Sequence, residues 1–549
     1  MTLHTRFTLL FQSVNSAQLA LIVFLSFLYA TLSVATIYLI STLISNEDSS
    51  VGRLSPIFAS IGVDTTPSHT LFVVVVSIAL MVGSGLLKNN LIFRLVAYTR
   101  HSLAMTILAQ FLNAPEVVVG KNQGDMKTLV LEETQQIVKQ LLGPIIELTS
   151  SFLFVCVIVA FLFVTNPGLT LITMIVVGVH FLGAYLVTGD KLQSFGRSRF
   201  ENNQARYSKI DDFFNLFKLV YVMRPGPFFL NRFSTNSSEM ARSQYKFDAT
   251  AHAPRIILDG IIFMLVVVVY LVTSGGDGGH VSASVYDLSI LIMGALKLAP
   301  EAQKMYHSVG LLRFGSRTQD VVADLLSRNT LPTNQIVFDE SFGLTIDFQK
   351  CYRGEYLLFS NVNIQLNAGD RVALTGPSGS GKTSLIEAFM GILPVEVQGK
   401  TVRLNVCARF GYLPQETFLI TESLLDNIKL GSLGEIADDE LNSFAQQLFP
   451  EVSDIEVFLQ RNVQDIVSTL SVGQKQRIGL LRAVFSKPEI LILDEFTSAL
   501  DSRSEELVVD FIERNFRDII IIVIGHRANS MLFCNRRLEI IEHAVVADC

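Results

Sequence analysis

Through the first 300 residues, apolar side chains run in long stretches without a polar stripe at helical spacing. Six of these lie at roughly 17–42, 70–87, 141–164, 169–187, 256–273 and 282–298. Each is near or above the roughly 18 residues that carry a helix across a bilayer core. Buried helices of a soluble protein are shorter and keep one polar face. From residue 336 the pattern changes: short apolar runs of strand length alternate with helix-like segments, as in an α/β domain. Between the two halves, 327–335 is polar and broken by proline, the composition of a linker. The expected architecture is an α-helical membrane domain with six transmembrane helices over 1–326, a linker over 327–335 and an α/β domain over 336–549.

Composition agrees with that division. The chain has 549 residues, of which 50 % are hydrophobic and 17 % charged, too apolar for an ordinary soluble protein of this size. A net charge of −7 leaves no basic footprint, so no nucleic-acid partner is expected. Cys156, Cys351, Cys407, Cys534 and Cys549 form no C-x-x-C pair and read as scattered reduced thiols. The first apolar stretch is too long for a cleaved signal peptide. Arg53 is the one basic residue between the first two spans, and 166–168 and 274–281 have none. The long connections 88–139 and 191–255 carry six and eleven Lys or Arg. Cationic loops stay on the cytoplasmic side, which places both connections and both termini there, on a multi-pass protein of the cytoplasmic (inner) membrane. The connections read as helical, so the spans continue below the bilayer and turn near 112–118 and 212–218. Residues 54–61 fit either a surface helix or a plain loop. His180 and Asp259, ionisable and inside spans, suit either a substrate path or helix–helix polar contacts.

Chemistry concentrates in the second half. Gly376-Pro377-Ser378-Gly379-Ser380-Gly381-Lys382-Thr383 follows an apolar strand and opens a helix, the context of a phosphate-binding loop. Glycines let several backbone N–H groups converge on one anion, and the helix N-terminus adds positive field. Lys382 supplies a point charge for the outer phosphates and Thr383 a hydroxyl for Mg²⁺. Downstream, Ile490–Leu493 is an apolar strand ending in Asp494 and Glu495. Asp494 is placed to hold the Mg²⁺ shell, and Glu495 to polarise an attacking water. A third run, Leu470-Ser471-Val472-Gly473-Gln474, has the S-x-x-Q spacing of a capping box before a helix. That spacing fits a well-capped helix with no ligand, or a helix N-terminus that grips a phosphate.

This last run resembles the LSGGQ signature of the ATP-binding cassette (ABC) superfamily, with Val472 in place of the first glycine. The resemblance implies further roles. Ser471 and Gly473 would touch a partner's ATP, with Val472 and Gln474 beside them. Gln415 would be the Q-loop glutamine that contacts Mg²⁺ and water, Ser498-Ala499-Leu500-Asp501 the D-loop, and His526 the switch histidine. Ser384 would extend the phosphate contacts. Tyr352 would stack on adenine, with Tyr356 as competitor. The stretch 391–410 is shorter than the family's usual β-region, and 462–469 lacks the usual glycine-containing approach. Six spans ahead of one such domain resemble an exporter half-transporter of the type IV fold, which implies an ATP-hydrolysing homodimer with each nucleotide between two chains. Ala253-Pro254-Arg255, Leu298-Ala299-Pro300 and Tyr306 resemble the bacterial flippases of lipid-linked oligosaccharides, implying an amphipathic, lipid-linked substrate and contact with membrane lipid. An exporter of peptide, drug or lipid is the alternative, and an ATP-gated channel or non-transporting regulator is a reading of another class.

Overall fold

The computed structural model describes the chain apart from residues 1–13, 46–66, 114–122, 166, 275–284, 328–343, 354, 378, 391, 393–395, 399–402, 405–408, 431, 433–436, 467–468, 498–499, 526–532, 542 and 549. It divides into two compact units, Met1–Asn329 and Thr330–Cys549. The segment 54–61, the turn over 114–118 and nearly all of 327–335 lie outside the described residues.

The first unit is helical. Helix α1 spans Ser16–Ser45, α2 Pro67–Asn113, α3 Gly143–Thr165, α4 Pro167–Asn215, α5 Phe217–Met223, α6 Gly226–Ser274, α7 Val285–Phe314 and α8 Ser316–Ser327. Among the described residues, Ser16–Ser41, Leu71–Leu112, Gly124–Thr165 and Thr173–Asn215 are long and apolar enough to cross a membrane. The fifth expected stretch falls on α6, and the described part of the sixth, from residue 285, on α7. Helices α2, α4 and α6 run for 47, 49 and 49 residues, so apolar spans and charged connections form single rods. The second turn falls at Leu216, where α4 gives way to the short α5. Lipid supplies no hydrophobic drive between helices, so small polar side chains join them. Thr36 and Ser77 share a 2.8 Å hydrogen bond, and Ser150 donates to Ser26 at 2.9 Å. His180 bonds the Pro254 carbonyl at 2.8 Å, and Asp259 lies 3.9 Å from Arg255 one turn away on its own helix.

Two features were not legible in the sequence. Ahead of α3, Leu129–Glu133 and Val138–Leu142 are π-helical turns, each a local widening that re-aims the side chains after it. The first places Glu133 in the interior, where its carboxylate accepts from Arg199 of α4 at 2.8 Å, Thr318 of α8 at 2.9 Å and Asn203 of α4 at 3.3 Å. Arg199 is 2 % exposed and Glu133 1 %. The second feature is a close approach: Gly196 of α4 lies so near the end of α7 that a methyl group there would overlap the Phe314 carbonyl oxygen.

The second unit is built on one sheet. Its strands are β1 Leu344–Arg353, β2 Tyr356–Leu366, β3 Arg371–Thr375, β4 Glu396–Gln398, β5 Arg403–Leu404, β6 Phe410–Leu413, β7 Ile490–Asp494, β8 Ile520–Ile524, β9 Arg536–Ile541 and β10 Ala544–Asp548. The order is β4-β1-β2-β10-β9-β3-β8-β7-β6, with β5 beside β1. Strands β6, β7, β8, β3 and β9 are parallel, while β1 pairs antiparallel with β2, β4 and β5. Strands β7 and β8 are buried at every position, so they read as unbroken apolar runs without alternation. Besides the single turn Val463–Ile466, the helices are α9 Lys382–Phe389, α10 Leu424–Lys429, α11 Asp438–Leu448, α12 Ile455–Leu459, α13 Val472–Phe485 and α14 Ser502–Asn515. Helix α13 packs its apolar face into one core with Leu413, Leu491 and Phe511, while β2, β3 and β9 share a second core around Phe359.

Candidate functional site

Parallel strands β3, β8 and β7 are consecutive neighbours, so their carboxyl ends share one edge of the sheet. Open parallel sheets bind ligands at that edge. The loop after β3 and the acidic pair after β7 stand two strand spacings apart, about 10 Å.

The loop turns on glycines. Gly376, Gly379 and Gly381 have φ of 146°, 81° and 97°. At Gly381, which caps α9, any larger residue would be strained and its Cβ would lie 3.0 Å from the Phe359 ring. Lys382, 8 % exposed, donates to the Gly376 carbonyl at 2.7 Å and the Pro377 carbonyl at 3.0 Å. Its ammonium therefore sits in the concavity of the loop. Thr383 is exposed at the start of α9, and Ser384 is half-buried behind it. Ser380 Oγ is buried with no hydrogen-bond partner among the described residues. An unspent hydroxyl and a lysine held at backbone carbonyls fit a ligand that supplies anionic oxygens. Ser378 lies outside the described residues.

At the end of β7, Asp494 is 7 % exposed and accepts from the Tyr412 hydroxyl at 3.4 Å. Burial, and then the neighbouring Glu495, push the Asp494 carboxyl above the usual carboxylate range. Burial and Asp494 push the Tyr412 phenol up to about 12, so it stays a hydrogen-bond donor. Glu495 has a φ of 45°, uncommon for a residue with a side chain, and its N–H donates to Ile524 of β8 at 2.8 Å. That turn aims its carboxylate out of the sheet, where Gln415 Nε2 donates to it at 2.5 Å. Among the described residues no three His, Cys, Asp or Glu side chains cluster as a metal centre. One buried carboxylate, an exposed threonine hydroxyl and an amide oxygen suit Mg²⁺, which takes few protein ligands and completes its shell with phosphate and water.

Gln415 is held by its surroundings. Gln476 of α13 donates to the Gln415 carbonyl at 3.4 Å, and Arg482 of the same helix donates to Phe418 O at 3.0 Å and Asn427 O at 2.9 Å. Asn427 in turn bonds both the N–H and the carbonyl of Ile420. None of these partners stands out in the sequence, because a half-buried Arg–Asn pair 55 residues apart has no local spacing to betray it.

At the other end of α13 the capping box is formed. Ser471 Oγ accepts from Gln474 N–H at 3.1 Å, and Gln474 Oε1 from Ser471 N–H at 3.0 Å. Gly473 is half-buried and Val472 is 60 % exposed, so the departure from the usual glycine leaves the cap intact and adds an isopropyl group to the surface. Asp501 caps α14 by accepting from Ser504 N–H at 2.8 Å; the Ser504 side chain and then this N–H hold its carboxyl below the usual range, and Leu500 is buried behind it. Tyr352 is half-buried at a bulge in β1, while Tyr356 is 80 % exposed at the start of β2. Ser498, Ala499 and His526 lie outside the described residues.

Comparison with known proteins agrees with both units. A family model described as ABC transporter matches residues 359–498, and one described as ABC transporter transmembrane region matches 15–296. The ATP-dependent lipid A-core flippase of Pseudoalteromonas translucida is 26 % identical over 480 residues, covering 83 % of this chain and 82 % of that protein. ABC transporter B family member 29, chloroplastic, of Arabidopsis thaliana is 27 % identical over 76 % of this chain and 68 % of its own length. A bacterial Atm1-family ABC exporter solved with ATP bound superposes with a TM-score of 0.77 at 18 % identity, covering 97 % and 95 % of the two chains. A membrane region and an ATPase joined in this order over nearly the full length place the chain in the ABC transporter family, as a multi-pass exporter half-transporter of the type IV fold that couples ATP hydrolysis to transport.

Proposed function

We propose that the chain works as a homodimer that flips an amphipathic, lipid-linked substrate across the cytoplasmic membrane, with both termini cytoplasmic. The observation that carries the substrate class is similarity to a lipid A-core flippase over 480 residues, 82 % of that protein's length. The membrane domain of 1–326 would handle the substrate, and the domain of 336–549 would supply the drive through the linker 327–335.

Within each nucleotide site, Lys382 and backbone N–H groups of the loop 376–381, to which Pro377 contributes none, bind the outer phosphates, and Thr383, Gln415 and Asp494 would hold Mg²⁺. A magnesium ion held there would supply charge neutralisation at the transferring phosphoryl group. Glu495 accepts the proton of the attacking water, and Gln415, bonded to that carboxylate, orients it. His526 would hold the terminal phosphate, and Tyr352 would stack on adenine. The α13 N-terminus, with Ser471 and Gly473, would close on the partner's nucleotide, and Asp501 would accompany it across the dimer. Capped and rigid, α13 also grips the backbone at Gln415 and three residues beyond it, so closing on one nucleotide is felt at the other.

The test is ATPase stimulation of the purified protein in liposomes across polyprenyl-diphosphate glycans, other lipids and peptides. Stimulation by the lipid-linked glycans is expected. Stimulation by peptides alone would replace the flippase reading with peptide export.

A further inference from the structure

Between α3, α4 and α7 lies a cavity of about 410 Å³ whose walls are almost wholly apolar, among them Val155, Met174, Val177, Phe181, Leu298 and Met305. That volume lies in the range of small-ligand pockets. Along α4 the lining runs from Met174 to Tyr185. At 1.5 Å per residue this is about 16 Å, half of a ~30 Å hydrocarbon core.

The two ends differ. Beyond Tyr185 the α4 sequence turns polar with Asp190 and Lys191, so polar groups follow the apolar lining at this end. Thr188 and Tyr306 share a 2.8 Å hydrogen bond there. Arg313 of α7 donates to the Tyr185 hydroxyl and stacks over the Tyr185 ring, 4.4 Å from its centroid. Its acidic partner is Asp190, at 3.6 Å and fully exposed. A phosphate that accepts two guanidinium N–H bonds outcompetes so loose a pair. Gly178 faces the same space: a Cβ built on it meets nothing within 4 Å.

We infer that this cavity seats one alkyl chain of an anionic amphiphile, with the acidic headgroup held by Arg313 at the level where the membrane gives way to the charged connection. An almost wholly apolar wall disfavours the headgroup, and a depth of one leaflet matches a single chain rather than a whole lipid. A cation already braced by a tyrosine ring gives the polar end its charge preference. The inference rests on the flippase reading and adds a seat and a headgroup charge to it.

The test uses the full chain in nanodiscs containing a phospholipid with a diazirine near the end of one acyl chain, as phosphatidic acid or as phosphatidylcholine. Labelled peptides are mapped by mass spectrometry. Label is expected on the peptides carrying Met174 and Met305, stronger for phosphatidic acid by about fivefold, which corresponds to roughly 1 kcal/mol. Gly178→Phe fills the cavity from α4 and Met305→Trp from α7; each should abolish this labelling and leave basal ATPase activity unchanged. Arg313→Gln should equalise the two headgroups while keeping the label in place. Label spread evenly over the outer faces of the helices, or retained at full strength in both filling variants, would overturn the inference. So would cross-links showing a second copy's side chains in the cavity. Lipid-stimulated ATPase is read in parallel: labelling without any stimulation supports the seat and removes the transport reading, while stimulation with no labelling removes the seat alone.

Discussion

At the scale of single residues, the most informative group is Asp494. Its carboxyl is raised by burial and by Glu495, and the Tyr412 hydroxyl works the other way by donating to the ionised form. Mg²⁺ requires the carboxylate, so ATPase activity should fall on acidification at a higher pH than an ordinary aspartate would set. Tyr412→Phe should move that acid limb upward again, measured as the pH profile of kcat; an unchanged limb would mean that another group sets it. The same shift has a sign for stability. A carboxyl with a raised folded pKa favours the fold below its unfolded pKa, and that contribution is lost as pH rises through the folded pKa. Asp494→Asn should therefore raise the Tm of the nucleotide-free protein at neutral pH and have little effect in acid, while abolishing hydrolysis. Glu495→Gln should keep nucleotide binding and lose turnover, read by single-turnover phosphate release. Undiminished release would take the general-base role away from it.

At the scale of elements, α13 separates structural capping from phosphate contact. Ser471→Ala removes the cap and should cost about 1 kcal/mol of stability. Asp caps as well as serine but turns a carboxylate toward the place of an anion. Ser471→Asp should thus keep the Tm and lose more ATPase activity than Ser471→Ala; the opposite order would reduce the run to a plain helix cap. This capping box was legible because its partners are three residues apart. The glycine turn between β3 and α9 and the buried strand ending in Asp494 were legible for the same reason, each being a local pattern. Contacts assembled from distant segments were not. Gln415 meets Glu495 across 80 residues, and Glu133 meets Thr318 across 185. The π-helical turns that rotate Glu133 inward leave no mark on apolar periodicity either. The Glu133–Arg199 pair makes its own prediction: Glu133→Gln strands a buried guanidinium and should cost about 3–5 kcal/mol, while replacing both partners with well-packed apolar residues should restore most of the Tm.

At the scale of the whole molecule, the composite-site proposal can be tested with mixed pairs of chains. Lys382→Ala on one chain and Ser471→Asp on the other damage the same nucleotide site and spare the second. Both changes on one chain damage both sites. The first pairing should retain more ATPase activity than the second, measured on tandem-tagged dimers; equal losses would mean that each chain hydrolyses ATP alone. The long rods of the membrane unit must carry any such closure, and one contact restricts how. Where the backbone of α7 rests on Gly196, there is no side chain to yield, so α4 and α7 have no room to press closer at that crossing. The two helices behave there like shears riveted near the handle: small rocking on one side of the rivet reappears, reversed, on the other.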